Sequence, residues 1–257
     1  MDVTKHTQGD VVMWQRAKMV YSILLFSFAL FFCAQSMAQP SKLTIACAAN
    51  FSATMNKLVN LFQLQMSKST EVRVVTGSSG ALASQIQHGA PFDVYFSADH
   101  ALPQRLKQAG LGYESIVYAK GELVLYASVQ NEHLLSDWRQ ALATATVAIA
   151  NPKLAPYGRA ALQVLQTQNV TPQRIVQGTS VLQAFQFVES GHAQLGLIAK
   201  SLLQADHLGT YIPLPIEWYE PIEQHALLLT PHPSAKAFFD FVQSDAAKQL
   251  INASGYR

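Results

Sequence analysis

The amino-acid sequence predicts an α/β protein with a parallel sheet, on three observations. Short, largely apolar runs of β type alternate along most of the chain with stretches whose apolar residues recur at helical spacing. Glycine, serine and asparagine stand where such runs give way to helices. The chain has 257 residues, enough for one large domain or for two lobes of about 100 residues, and either can bury a core.

In chain order, the predicted strands are 43–48, 72–75, 94–97, 123–127, 147–150, 195–199 and 226–229. After the first, Phe51, Met55, Leu58, Val59 and Phe62 form one apolar stripe at helical spacing. A second stripe, Val181, Phe185 and Val188, stops at Gly191, a C-cap glycine. One closing helix is predicted over about 234–251, carrying Phe238, Phe241, Val242 and Leu250.

Residues 1–38 read as an export signal rather than as part of the fold. A polar, weakly basic stretch ending in Arg16 and Lys18 leads into the apolar run 19–34, and the small residues Ser36 and Ala38 precede an expected cleavage before Gln39. Retention as an uncleaved anchor helix is the alternative. Lipidation at Cys33 is disfavoured by Phe31 and Phe32, where such a site wants small residues.

The whole chain carries 18 Lys+Arg against 16 Asp+Glu. Removing Lys5, Arg16 and Lys18 with Asp2 and Asp10 leaves 15 basic and 14 acidic residues, a net charge of +1. So even a balance excludes a nucleic-acid binder, which needs a basic surface. Cys47 then remains as the lone cysteine, so no internal disulfide is possible, and its apolar surroundings (43–49) predict a small buried core residue.

Four strand-to-helix junctions look alike. They are Ala49-Asn50, Gly77-Ser78-Ser79-Gly80, Ala155-Pro156-Tyr157-Gly158 and Gly178-Thr179-Ser180-Val181. Ser, Asn and Gly are ordinary helix caps, so one junction alone says little. Four together are different: each helix N-terminus exposes unpaired N–H groups and about half a positive charge, so four supply about two units, enough for a dianion. In open α/β sheets the ligand crevice lies at the carboxyl ends of the strands, where these junctions fall.

With these junctions the chain resembles the periplasmic molybdate-binding proteins, the soluble receptors of molybdate ABC importers. The matching segments are IACAANF (45–51), GSSGALASQIQHGAPFDVYFSAD (77–99), NPKLAPYGRAAL (151–162), GTSVLQAFQFVESGHAQLGLIAKS (178–201) and the closing AKAFFDFVQSDAAKQLINASGY. They span nearly all of the chain beyond the signal, in order.

The resemblance implies a two-lobed periplasmic binding protein fold with two crossover hinge segments, expected at 122–127 and 225–229. Lobe one would be 39–122 plus 228–257, and lobe two 123–227. It also implies a site of neutral donors for molybdate, and for the similar tungstate, at Ala49, Asn50, Ser78 or Ser79, Tyr157 and Val181. Molybdenum would be held only as its oxyanion by these same residues. In one branch of the family a tyrosine closes the strand 195–198; here that position is Ala199. Asn50, capping with its oxygen and facing the anion with its NH₂, and Tyr157 are expected to replace the lost donor. Arg159 is expected to face solvent.

No catalytic residue and no cofactor are implied, and the partners would be the oxyanion and the permease and ATPase of an inner-membrane importer. The chain is expected to act as a monomer in the periplasm. The alternatives are a receptor for another oxyanion such as sulfate, or an exported hydrolase using Cys47 or Ser79, against which no G-x-S-x-G elbow is present. The histidines lack ligand spacing for zinc. Asp93 and Asp99 are expected at a strand edge and a helix cap, and Trp218-Tyr219 in a surface loop.

Overall fold

The computed structural model describes residues 42–66, 70–203 and 207–257. The expected signal, Cys33 and the cleavage before Gln39 lie outside the described residues. The described chain carries ten strands in two five-stranded sheets, and eight α-helices.

The first sheet holds β1 (Lys42–Ala48), β2 (Glu71–Gly77), β3 (Val94–Ser97), β4 (Glu114–Gly121) and β10 (Ile222–Leu228), in the order β2-β1-β3-β10-β4. The second holds β5 (Leu123–Ala127), β6 (Thr146–Ala150), β7 (Arg174–Gly178), β8 (Leu195–Ala199) and β9 (Thr210–Pro213), in the order β7-β6-β8-β5-β9. Neither sheet is purely parallel, which corrects the expectation. β10 runs antiparallel to β3 and β4, and β5 antiparallel to β8 and β9. Each is the strand that enters its sheet from the other lobe, so its direction is reversed.

The helices are α1 (Ser52–Gln65), α2 (Ser79–Gln87), α3 (Ala101–Gln108), α4 (Trp138–Thr144), α5 (Pro156–Thr167), α6 (Val181–Glu189), α7 (Pro233–Phe241) and α8 (Asp245–Ala253). Both faces of the first sheet are covered. On one, Leu43, Ile45 and Cys47 meet Phe51 and the α1 residues Met55, Leu58 and Phe62 together with Phe238 of α7. On the other, Ala46 packs with Leu82, Tyr95 and Leu227. Alternate residues of β1 thus feed two cores. The second sheet has one continuous core, from Val124 and Ile149 to Ala161, Val188 and Ile198. Each fully buried large aliphatic or aromatic side chain contributes about 1.5–3 kcal/mol.

Gly191 has φ +75°, the left-handed conformation of a helix-ending glycine. The single closing helix is two: α7 stops at Phe241, and Ser244 caps α8, its Oγ accepting from Ala247 N at 3.3 Å.

The chain passes between sheets twice. β4 ends at Gly121 and β5 begins at Leu123, with Glu122 between them. β10 pairs with the first sheet from Ile222 onward, so the return passage precedes Ile222 rather than falling in 225–229. Residues 222–227, expected in the second lobe, are therefore first-sheet residues. The return passage touches the start of β5, because Leu123 N donates to Tyr219 Oη at 3.1 Å. Among the described residues, no helix is long and apolar enough to cross a membrane.

Candidate functional site

Parallel pairing places the site. β1 and β2 end side by side at Ala48 and Gly77, and β6 and β7 end side by side at Ala150 and Gly178. Each pair of strand ends releases its chain into helices at the carboxyl edge of its sheet, where open α/β sheets hold ligands. Residues from all four junctions line one small cleft: Ala49 and Asn50, Ser78 and Ser79, Tyr157, and Val181. The structure thus gathers all six sequence-predicted site residues. It adds Ala48, Ala98, Ala155, Pro156 and Ser180, and no lining residue is charged.

The donors differ by junction. Ala49 and Asn50 sit in a 3₁₀ turn, 49–51, that leads into α1. Ser78 precedes α2 and its hydroxyl caps nothing. Ser79 opens α2; its Oγ accepts from Ala98 N at 2.9 Å, so its own proton remains to be donated. Pro156 opens α5, which leaves Tyr157 the first N–H of that helix, and Val181 opens α6. N–H groups of a first turn have no acceptor within their own helix. In α6 the cap Ser180 spends its oxygen on Gln183 N at 3.3 Å.

The side chain of Asn50 does not serve as expected. Asn50 Nδ2 donates to Gln224 Oε1 at 2.9 Å and to Tyr256 Oη at 3.0 Å, so both its protons are spent away from the cavity. The Tyr157 hydroxyl accepts from Gln224 Nε2 at 3.2 Å. The role expected of the Asn50 side chain, replacing the donor absent at Ala199, is corrected, because both its protons are spent elsewhere; the Tyr157 hydroxyl accepts from Gln224 and keeps its own proton.

Behind the cavity lies a polar network that sequence reading missed. Tyr118 Oη donates to Gln224 Oε1 at 2.8 Å, Tyr256 Oη donates to Asn50 O at 2.8 Å, and Ser201 Oγ donates to Asn50 O at 3.1 Å. Burial pushes the hydroxyls of Tyr118, Tyr157 and Tyr256 well above their ordinary range, so the network stays neutral. The signal for Gln224 was its phase. With Ile222 and Ala226 it shares the buried face of β10, where an amide must find partners.

Two contacts join the lobes at the cavity rim. Gly80 N donates to Leu154 O at 2.8 Å, and a Cβ on Gly80 would stand 2.8 Å from that oxygen. Arg159, expected in solvent, pairs with Asp99 at 2.5 Å. Asp99 also accepts from Leu102 N at 3.1 Å, the cap expected of it. Asp93 holds Thr44 N and Thr230 Oγ1 at 2.7 and 2.9 Å and is structural. Cys47 is wholly buried and burial pushes its thiol far up, which suits a core residue and not a nucleophile.

Two α/β lobes that meet over a small cavity lined by neutral donors define the class of two-lobed solute binders. The chain belongs to the bacterial extracellular solute-binding protein family, whose pattern matches residues 43–257. It is similar to the molybdate-binding protein ModA of Azotobacter vinelandii, 37% identical over 235 residues, or 85% of this chain and 91% of that protein. ModA of Rhodobacter capsulatus is 34% identical over 229 residues, 85% of this chain and 89% of that one. The solved structure of the Azotobacter vinelandii periplasmic molybdate-binding protein superposes with a TM-score of 0.78 at 32% identity, covering 84% of this chain and 98% of that one.

Proposed function

We propose that this chain is the extracytoplasmic receptor that captures molybdate, and tungstate with it, and hands it to the permease and ATPase of an ABC importer. The observation that carries this reading is the convergence of four helix-opening junctions, two from each lobe, on one cavity without a charged side chain. The names and the extent of the similar proteins support the choice of oxyanion.

The chemistry is recognition without reaction. The four N-termini bring about two units of positive charge, and the ion accepts hydrogen bonds from backbone N–H groups and from Ser78 and Ser79. A fully deprotonated dianion only accepts. Hydrogen phosphate also has a proton to donate, and the lining has no carboxylate to take it. The passages at Glu122 and 219–221 would act as the hinge, with the first-sheet and second-sheet elements as the moving bodies. The molecule would work as a monomer in the periplasm.

The test is a thermal-shift panel of molybdate, tungstate, sulfate, phosphate and chromate on residues 39–257. An ion bound only by the folded protein adds about 2.7 kcal/mol at a hundred times its dissociation constant. Molybdate and tungstate should stabilise at the lowest concentrations and phosphate least. Stabilisation by sulfate alone would transfer the reading to a sulfate receptor, since cavity radius and not donor number separates the two ions.

A further inference from the structure

We infer that Gln224 is a positioning residue that couples lobe closure to capture of the anion, through a bond to Tyr157 made as the lobes close; the inference rests on the receptor reading above. Gln224 is the third residue of β10, just beyond the return passage, and is fully buried. The β4–β10 register shifts between Gln224 and His225: Gln224 faces Ala119 and His225 faces Val117, so Tyr118 is an extra residue. Such a bulge re-aims side chains, and here Tyr118 and Gln224 turn to the same interior and bond each other.

The amide orientation follows from its partners. Asn50 Nδ2 can only donate, so the group at 2.9 Å from it is the amide oxygen, and the Gln224 nitrogen is what faces the Tyr157 hydroxyl. One amide therefore holds the first-lobe wall of the cavity through Asn50 and the second-lobe wall through Tyr157. Separating the lobes takes Tyr157 from Gln224 and leaves a buried NH₂ without its acceptor, which favours the closed form. The anion, by drawing the Tyr157 N–H inward, favours the same bond, so the two events support each other.

The experiment uses the full chain with Tyr157→Phe, Gln224→Met and both together. Molybdate affinity is measured by titration calorimetry, dissociation by stopped-flow tryptophan fluorescence, and ligand-free stability by urea. Tyr157→Phe should speed dissociation about tenfold while association stays within about twofold. The double variant should release the ion no faster than Gln224→Met alone, whereas in the ligand-free protein the two changes should add. Additive effects on dissociation, or the same coupling without the anion, would overturn the inference and leave Gln224 a fixed strut. Should Gln224→Met not fold, Tyr157→Phe with unchanged dissociation overturns it equally. An unaltered protein that binds none of the oxyanions would bring down the receptor reading itself, and this inference with it.

Discussion

The two lobes are built alike and equipped differently. In each, three parallel strands stand in the same order beside one reversed strand, and the two that lead to the cleft end as a side-by-side alanine and glycine. The helices that follow point the same way, so topology alone delivers four N-termini to one place. The side chains then diverge. The first lobe brings hydroxyls: Ser78 caps nothing and Ser79 keeps its proton. The second uses its serine on its own helix and brings backbone N–H groups. Equal folds thus place the donors, and single residues decide which donors they are.

The largest effect should come from adding charge to the first lobe. Asn50→Asp replaces an NH₂ that donates twice by an oxygen facing Gln224 Oε1 and Tyr256. An uncompensated buried charge costs about 3–5 kcal/mol, and it also repels the anion. Urea unfolding should show that loss and calorimetry no binding at neutral pH. Retained affinity would remove Asn50 from the site.

Two glycines separate the lobes next. A Cβ on Gly158 would overlap the carbonyl oxygen of Ala150 in the same lobe, so Gly158→Ala should cost stability, about 3 kcal/mol, with or without ligand. A Cβ on Gly80 meets Leu154 O across the lobes. Gly80→Ala should leave ligand-free unfolding nearly unchanged and weaken molybdate binding about tenfold or more. Equal losses of ligand-free stability in both would mean that the rim contact does not depend on closure.

A paired serine experiment sharpens the donor contrast. Ser79→Ala removes a bond to a charged group, about 1.5–3 kcal/mol, or a tenfold to hundredfold weaker affinity. Ser180→Ala removes a cap, costing about 1 kcal/mol of stability with affinity little changed. If calorimetry finds Ser79→Ala silent, the hydroxyl contact passes to Ser78.

Much of this was legible because it is local. The strand runs, the helical stripes and the Gly-Ser junctions are written in consecutive residues. β4, β7 and β9 escaped because they are sheet edges with few buried positions, and β7 and β9 carry only two or three apolar residues in a row. The reversed strands escaped because direction is not a local property. The network behind the cavity escaped for the same reason: Gln224 joins Asn50, Tyr118 and Tyr157 over separations of 174, 106 and 67 residues. Asn50 and Tyr157 both line the cleft as expected, but the amide of Asn50 is turned away from it, since the partner that claims it is far along the chain.

The smallest expected effect is an acid sensitivity confined to the first sheet. His225 pairs with Ser97 of β3 and Val117 of the edge strand β4, and its ring lies 6.0 Å from that of His100. Burial, and then the neighbouring His100, hold its pKa below the usual 6.5, against the opposing pull of Glu223 and Asp99. The unfolded chain therefore binds this proton more readily than the folded one, so stability should be complete above pH 6.5 and decline as pH falls below it. Urea midpoints at pH 7.5 and pH 5 should differ less for His225→Asn than for the unaltered protein. An identical difference in both would place the acid sensitivity elsewhere, and would leave the two lobes distinguished by their donors alone.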